Sequence, residues 1–423
     1  MAKKKLAIIG TGISGLGVAY FLRDQYDITL YEKNDYIGGH TNTITIVDQK
    51  QELAIDTAFM VFNEHTYPLL TRLFKELGVK TRPTSMSFSV AHVPTGLEYC
   101  GSGFQGLFAQ RRNMFNRSFL RMLLDIERFN KEAMEVLINP VYENITLAEY
   151  VAKKGYTQDF LHKFLIPMSS AVWSTPPDAM LNFPAVTLVR FFKNHCFLGM
   201  SGHLEWRTCL GGSRNYRDKL LAQTKAVVCR NRGVLHVKDL GSKVSVTDTM
   251  GGSTDYDHVV IAAHADDALA MLKNPTPLQQ LTLSQFPYIN NSTILHTDDR
   301  VMPRYKRAWA SWNYRIVADA NGVPQATTIY YINALQGIAS DKDWFISIND
   351  PGLIDPAKIV WRMDYRHPRY TPQSQQAQPM LQQLNEGKGI SFCGAYFRYG
   401  FHEDGLWSAH QVAQTLSKDP IWP

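Results

Sequence analysis

Three glycines, Gly10, Gly12 and Gly15, follow directly on the apolar run Leu6 to Ile9 and open a stretch of helical character from Ile13 to Asp24. No other feature restricts the fold of this chain as strongly. A glycine at position 10 allows a tight turn out of a strand, and one at 12 lets backbone N–H groups approach a phosphate. One at 15 lets the helix lie close against the strand. The helix N-terminus, at Ile13 and Ser14, carries unpaired N–H groups and the positive end of the helix dipole, so it favours an anion. A second expected strand, Ile28 to Tyr31, ends at Glu32, placed to accept hydrogen bonds from a ribose diol, with Lys33 beside it. Strand, glycine turn, helix, strand and acid in that order describe a dinucleotide-binding unit, so the expected fold class is α/β with a Rossmann-like domain.

A few residues further on stands Gly38-Gly39-His40. A protein that binds NAD alone has no need of a second bare-backbone turn there, whereas the extended FAD molecule needs another close backbone approach beyond the first strand pair. The far end of the chain adds a matching signal. The apolar strand Ile390 to Ala395 is interrupted by Gly394, and the run Phe401-His402-Glu403-Asp404-Gly405 opens a last helix, expected over Leu406 to Leu416. Acids in a first turn suit the dipole. Backbone N–H groups at such a helix start also suit a flavin near N1 and O2, where negative charge develops on reduction.

At 423 residues the chain exceeds one ordinary domain. The expectation is two domains: an FAD-binding domain over 1–85, 205–283 and 385–423, and a substrate domain of mixed sheet and helices over 86–204 and 284–384. An apolar fraction of 45% and a charged fraction of 19% are those of a globular protein. The net charge of +6 suits an anionic membrane surface or acidic substrate, and equally a solvated face of scattered Lys and Arg. Nothing points to nucleic acid. No apolar run approaches the roughly 20 residues of a membrane span, and Met1 to Lys5 lead straight into the first strand, so the expected location is the cytoplasm, with peripheral contact at the inner face of the membrane as an option. Five cysteines without a CxxC spacing argue against a disulfide framework and against a metal site.

Between the two ends, helices are expected at Tyr67 to Leu77 and Asn215 to Ala222. Strands are expected near Leu53 to Asp56, Val227 to Cys229, Val234 to Val237, Val244 to Thr247, His258 to Ala263, Ala308 to Trp312 and Thr327 to Ile332. The stretch from Phe104 to Ile138 interleaves Arg111, Arg112, Arg117, Arg121 and Arg128 with Phe, Leu and Met. It reads either as a membrane-surface element or, more plainly, as a helix with its apolar face on the core and its arginines in water.

The chain resembles the FAD-dependent amine oxidase and phytoene desaturase superfamily over nearly its whole length. The strings Asp56 to Asn63, Ser85 to Val90, Trp206 to Tyr216 and Phe392 to Gly405 are similar to a bacterial flavoprotein branch related to the flavin domain fused to plant cyclopropane fatty acid synthases. The resemblance implies non-covalent FAD and a connection to acyl chains. It assigns Gly10, Gly12, Gly15 and Glu32 to the ADP half of the cofactor, Gly38 and Gly39 to the second turn, and Gly394 and Gly405 to the flavin end. Val234 matches the position that sets a backbone group against adenine. His40 stands where the superfamily often has an arginine, which leaves charge compensation of the pyrophosphate open. Cys393, ahead of Gly394, reads as a core thiol and not a flavin attachment point.

The residues expected nearest the reacting ring are Asn63, His65, Tyr399, His402 and Glu403, with packing or helix-end roles as the alternative for each. His264 and His296 read as ordinary surface or packing histidines. An acyl-lipid oxidase or desaturase would use the apolar segments Met86 to Leu124 and Phe183 to Met200. An amine oxidase would need an aromatic cage, for which Tyr396, Tyr399 and Trp312 are candidates. A third reading is a flavin-binding, non-catalytic partner of a lipid-modifying methyltransferase.

Overall fold

The computed structural model describes residues 3–199, 204–387 and 389–422; Met200, the end of one expected apolar segment, lies outside them. Five strands form a parallel sheet: β1 (Lys4–Ile9), β2 (Tyr26–Tyr31), β3 (Val227–Cys229), β4 (His258–Ile261) and β5 (Ile390–Phe392). Their spatial order is β3-β2-β1-β4-β5, and every pairing is parallel. The middle of β1, Leu6 to Ile8, is fully buried, as the continuous apolar pattern of a doubly covered parallel strand requires. The chain leaves this sheet after β2, returns for β3 and β4, and returns once more for β5, so the sheet is discontinuous in sequence.

Helix α1 (Ile13–Leu22) is buried along its whole length, and the last helix, His402–Leu416, packs on it. Between them a seven-stranded sheet runs in the order Ile359–Pro368, Tyr288–His296, Phe345–Ile348, Pro324–Tyr331, Trp312–Ala318, Phe88–His92 and Leu97–Cys100. Its strands pair antiparallel except Trp312–Ala318 with Phe88–His92. Helices from Arg117 to Asn194 cover it, and their shared core holds Phe119, Phe129, Tyr150, Phe160, Trp173 and Phe191.

Three expectations shift. Ala308 to Trp312 is a short 3-10 turn and loop, and the strand begins only at Trp312. The last helix starts at His402, four residues earlier than expected, because Asp404 accepts from the Phe401 N–H at 2.9 Å and caps the turn. Phe104 to Ile138 is a helix, Arg117–Glu132, preceded by a five-residue helix and a 3-10 turn and followed by a further 3-10 turn.

Candidate functional site

The glycine turn is built by close contact. A Cβ on Gly10 would stand 2.6 Å from the Ala262 carbonyl oxygen at the end of β4, and one on Gly15 would run into the Gly10 carbonyl. A Cβ on Gly12 would meet nothing within 4 Å. No side chain caps the N-terminus of α1. A deeply buried helix start with uncapped N–H groups and open space before it has the geometry of an anion site. Gly38 and Gly39 lie across the opening, with φ of 125° and 58°, and a Cβ on Gly39 would sit 3.2 Å from Gly12 Cα.

Glu32 is buried at the end of β2, where its carboxylate accepts from Thr11 and from the Asn34 backbone and side-chain amides. Val234 opens the strand Val234–Asp239 one residue beyond Gly233, which packs on Lys33. Gly405 presses the last helix onto the first turn of α1: a Cβ there would lie 2.8 Å from Ser14 Oγ and 2.9 Å from Ile13 Cγ2. Both chain ends therefore close one site, and the backbone cradles fit a flavin dinucleotide.

His40 faces this site from the second turn. Its Nε2 is buried without a partner, and its ring lies 5.0 Å from His367, 5.2 Å from Tyr365 and 6.3 Å from His264. Burial pushes His40 down to about 4 and His264 to about 3, and holds His367 well below the ordinary imidazole value, so all three are neutral at pH 7. His264 is thus part of a cluster at the end of β4 and not an isolated packing residue. His296 does pack in the core, stacked near Phe345 and bonded to Ser347 at 2.8 Å.

His402 stacks on Phe59 at 3.7 Å, and its Nε2 shares hydrogen bonds with Tyr216 Oη (2.7 Å) and Thr41 Oγ1 (3.0 Å). Burial keeps this imidazole neutral as well. Phe59 holds a φ of 50°, a strained value for an aromatic residue. Asp56, three residues before it, is buried and accepts from Ser213 N (2.9 Å), Ser213 Oγ (2.8 Å), Thr43 Oγ1 (2.5 Å) and Gln336 Nε2 (2.9 Å). It ties the hairpin Asn42–Asp48 and Gln51–Ala58 to the Gly212-Ser213 turn, and desolvation raises it to about 6.

A cavity of about 260 Å³ opens beside the start of the last helix, lined by His65, Tyr67, His195, Tyr399, Phe401 and Glu403 among others. Three of the five expected ring-side residues, His65, Tyr399 and Glu403, meet here. Asn63 does not line it: its side-chain oxygen accepts from the His65 and Thr66 N–H groups and shapes the loop. Glu403 accepts from the Leu69 and Leu70 N–H groups at 2.9 and 3.0 Å, so it caps the helix Pro68–Glu76 rather than its own. Burial raises Glu403 to about 7 and Asp404 to about 6. His195 stacks on Phe191 at 3.8 Å and is held near 4 by burial.

The sequence reading missed Phe59, Thr41, Tyr216, His195 and His367. All but Thr41, His195 and His367 fall inside the specific strings Asp56 to Asn63 and Trp206 to Tyr216, which was the one available signal.

A discontinuous parallel sheet, an uncapped glycine turn and a last helix seated on that turn define a dinucleotide-binding flavoprotein. A family model described as flavin containing amine oxidoreductase matches residues 13–306, and the chain belongs to that family, whose members are flavin-dependent oxidoreductases. Prenylcysteine oxidase 1 of Mus musculus is 24% identical over 220 residues, 45% of this chain and 42% of that protein, so the match spans less than half of its length. The structure is similar to a putrescine oxidase bound to putrescine (TM-score 0.66, 12% identity, 98% of this chain and 99% of that one). It is also similar to a CLA-producing fatty acid isomerase from P. acnes (TM-score 0.68, 13% identity, 98% and 99%). At these identities the likeness speaks for the fold alone.

Proposed function

We propose that this protein is an oxidoreductase that holds FAD non-covalently and acts on an acyl-lipid or another apolar substrate. The observation that carries the reading is the aromatic side of the cavity: Phe401 lines it, stacks on Phe191 at 5.0 Å and lies 6.3 Å from Trp173, so the buried aromatic core backs that wall up to the first turn of the last helix. Such a wall solvates hydrocarbon and excludes water. Bound flavin would supply the hydride acceptor. The chain's own residues do the rest. Phe401 and Tyr67 give the cavity its apolar lining, with Phe191 and Trp173 packed behind Phe401, and Arg398 lines it beside Asp404.

An amine substrate is supported less well. Both carboxylates lining the cavity, Glu403 and Asp404, are committed to backbone N–H groups, and Arg398 already stands 3.8 Å from Asp404. The three cage candidates are scattered: Tyr396 is buried against Phe286, Trp312 stacks on Tyr330, and Tyr399 alone reaches the cavity. Non-covalent binding is supported by Cys393, which is fully buried and whose thiol burial pushes up, away from the reactive thiolate.

Anaerobic mixing with a panel of substrates tests the reading. Bleaching of the flavin by unsaturated phospholipid or free fatty acid is the expected result; bleaching by putrescine or another primary amine alone would overturn it. Bleaching by neither would favour a non-catalytic partner of a lipid-modifying methyltransferase. Flavin left in the precipitate after acid denaturation would overturn non-covalent attachment.

A further inference from the structure

The helix Arg117–Glu132 buries one face and leaves a second apolar face in solvent. Phe119, Met122 and Phe129 pack inward, and Asn116 caps the start by accepting from the Ser118 and Phe119 N–H groups. On the opposite side Arg117, Leu120, Arg121 and Leu124 follow at i, i+3, i+4 and i+7, which aligns them in one stripe. The preceding turn continues the stripe with Met114 and Phe115. Phe115 is 86% exposed and Leu124 61%, exposures that leave most of each side chain in water. Phe104, beyond the turn, is 60% exposed.

The charge on this face has one sign. No Asp or Glu stands between Glu98 and Asp125, whereas Arg111, Arg112, Arg117 and Arg121 all lie exposed. The acids that follow on the helix or bond to it are already engaged, Asp125 with Arg128, exposed Glu127 with Lys131, and Asp159 with Lys163. An apolar ridge flanked by unpaired guanidinium groups matches the boundary of an anionic bilayer, where the rings and aliphatic chains enter the acyl layer and the arginines meet phosphates. No helix among the described residues is long and apolar enough to cross a membrane, so contact of this kind would be peripheral.

We propose that Met114, Phe115, Leu120 and Leu124, with Arg111, Arg117 and Arg121, form a docking surface for an anionic lipid bilayer. The buried side of this helix belongs to the same apolar core as Trp173 and Phe191. The inference does not depend on the substrate reading, since binding is measured without turnover.

The experiment is co-sedimentation of the purified flavoprotein with sucrose-loaded vesicles of phosphatidylcholine, alone or mixed with phosphatidylglycerol. The expected result is pelleting with the mixed vesicles only, lost in high salt. R117Q/R121Q is expected to weaken partitioning by roughly 10- to 100-fold, and F115S to weaken it as well, with melting temperature and flavin absorbance unchanged in both. Parent protein that stays in the supernatant with phosphatidylglycerol present would overturn the proposal, as would variants that pellet like the parent. A concentration-dependent dimer in sedimentation velocity that F115S abolishes would overturn it in favour of a second copy of this chain.

Discussion

Gly12 and Gly15 stand three residues apart and fail in opposite ways when a methyl group is added. At Gly15 the new carbon meets the backbone carbonyl of Gly10, which cannot move without opening the turn. Gly15→Ala is expected to cost on the order of 3 kcal/mol in chemical unfolding. At Gly12 the methyl enters open space, so Gly12→Ala should unfold within about 0.5 kcal/mol of the parent. That space is the one a phosphate needs, and the same variant should emerge from gel filtration with its visible flavin absorbance largely lost. Full flavin content in Gly12→Ala would show that the cofactor lies elsewhere. Gly405→Asp should lose flavin for a different reason, since its side chain would collide with Ser14 and Ile13 and bring a negative charge to the start of α1.

The last helix and the helix Pro68–Glu76 are joined by one carboxylate. Glu403 accepts the first free N–H groups of its neighbour, a favourable contact, yet it does so in a buried place that raises its proton affinity to about 7. A carboxyl group that binds its proton more tightly when folded stabilises the fold below its unfolded value, near 4.5, and that contribution is lost as the pH rises through about 7. Relative to Glu403→Gln, which does not titrate, the parent should therefore lose stability between about pH 4.5 and 7, by on the order of 1–3 kcal/mol, and stay level above that. Urea denaturation of both proteins across this range measures it. A gap that is flat with pH would mean that Glu403 is ionised throughout.

Asp56 acts across the whole molecule. It fastens the hairpin Gln51–Ala58 to a turn 157 residues away and, through Gln336, to the short helix Ile332–Gln336. The far side of that hairpin packs Leu53 and Ile55 against Leu295, Ile332 and Trp344. Asp56→Ala would leave the Ser213 N–H, the Gln336 amide and two hydroxyls unpaired, and an unsatisfied buried donor costs roughly 1–3 kcal/mol. The expected result is a loss of about 3 kcal/mol or more in unfolding free energy, with reduced flavin content, because Phe59 and Thr41 are positioned by the same hairpin. A variant that melts like the parent would show the clamp to be redundant.

The glycine spacing, the acid at Glu32 and the second turn at Gly38-Gly39 were legible in sequence because a dinucleotide cradle needs backbone in set places, and only glycine permits it. The central strands β1 and β4 of the parallel sheet were legible for a similar reason: a strand covered on both faces must be apolar along its middle. The histidine cluster was not legible. His40, His264 and His367 are far apart in the chain, and a histidine carries no local sign of whether its ring will meet water or two other rings. The same holds for Glu403, whose place in a first turn suggested that it serves its own helix, whereas packing turned it toward another. Sequence by itself determined the cofactor cradle, since that rests on backbone geometry written within a few residues. Tertiary structure alone decided which side chains face it, because burial and long-range packing, not local pattern, set their partners and their protons.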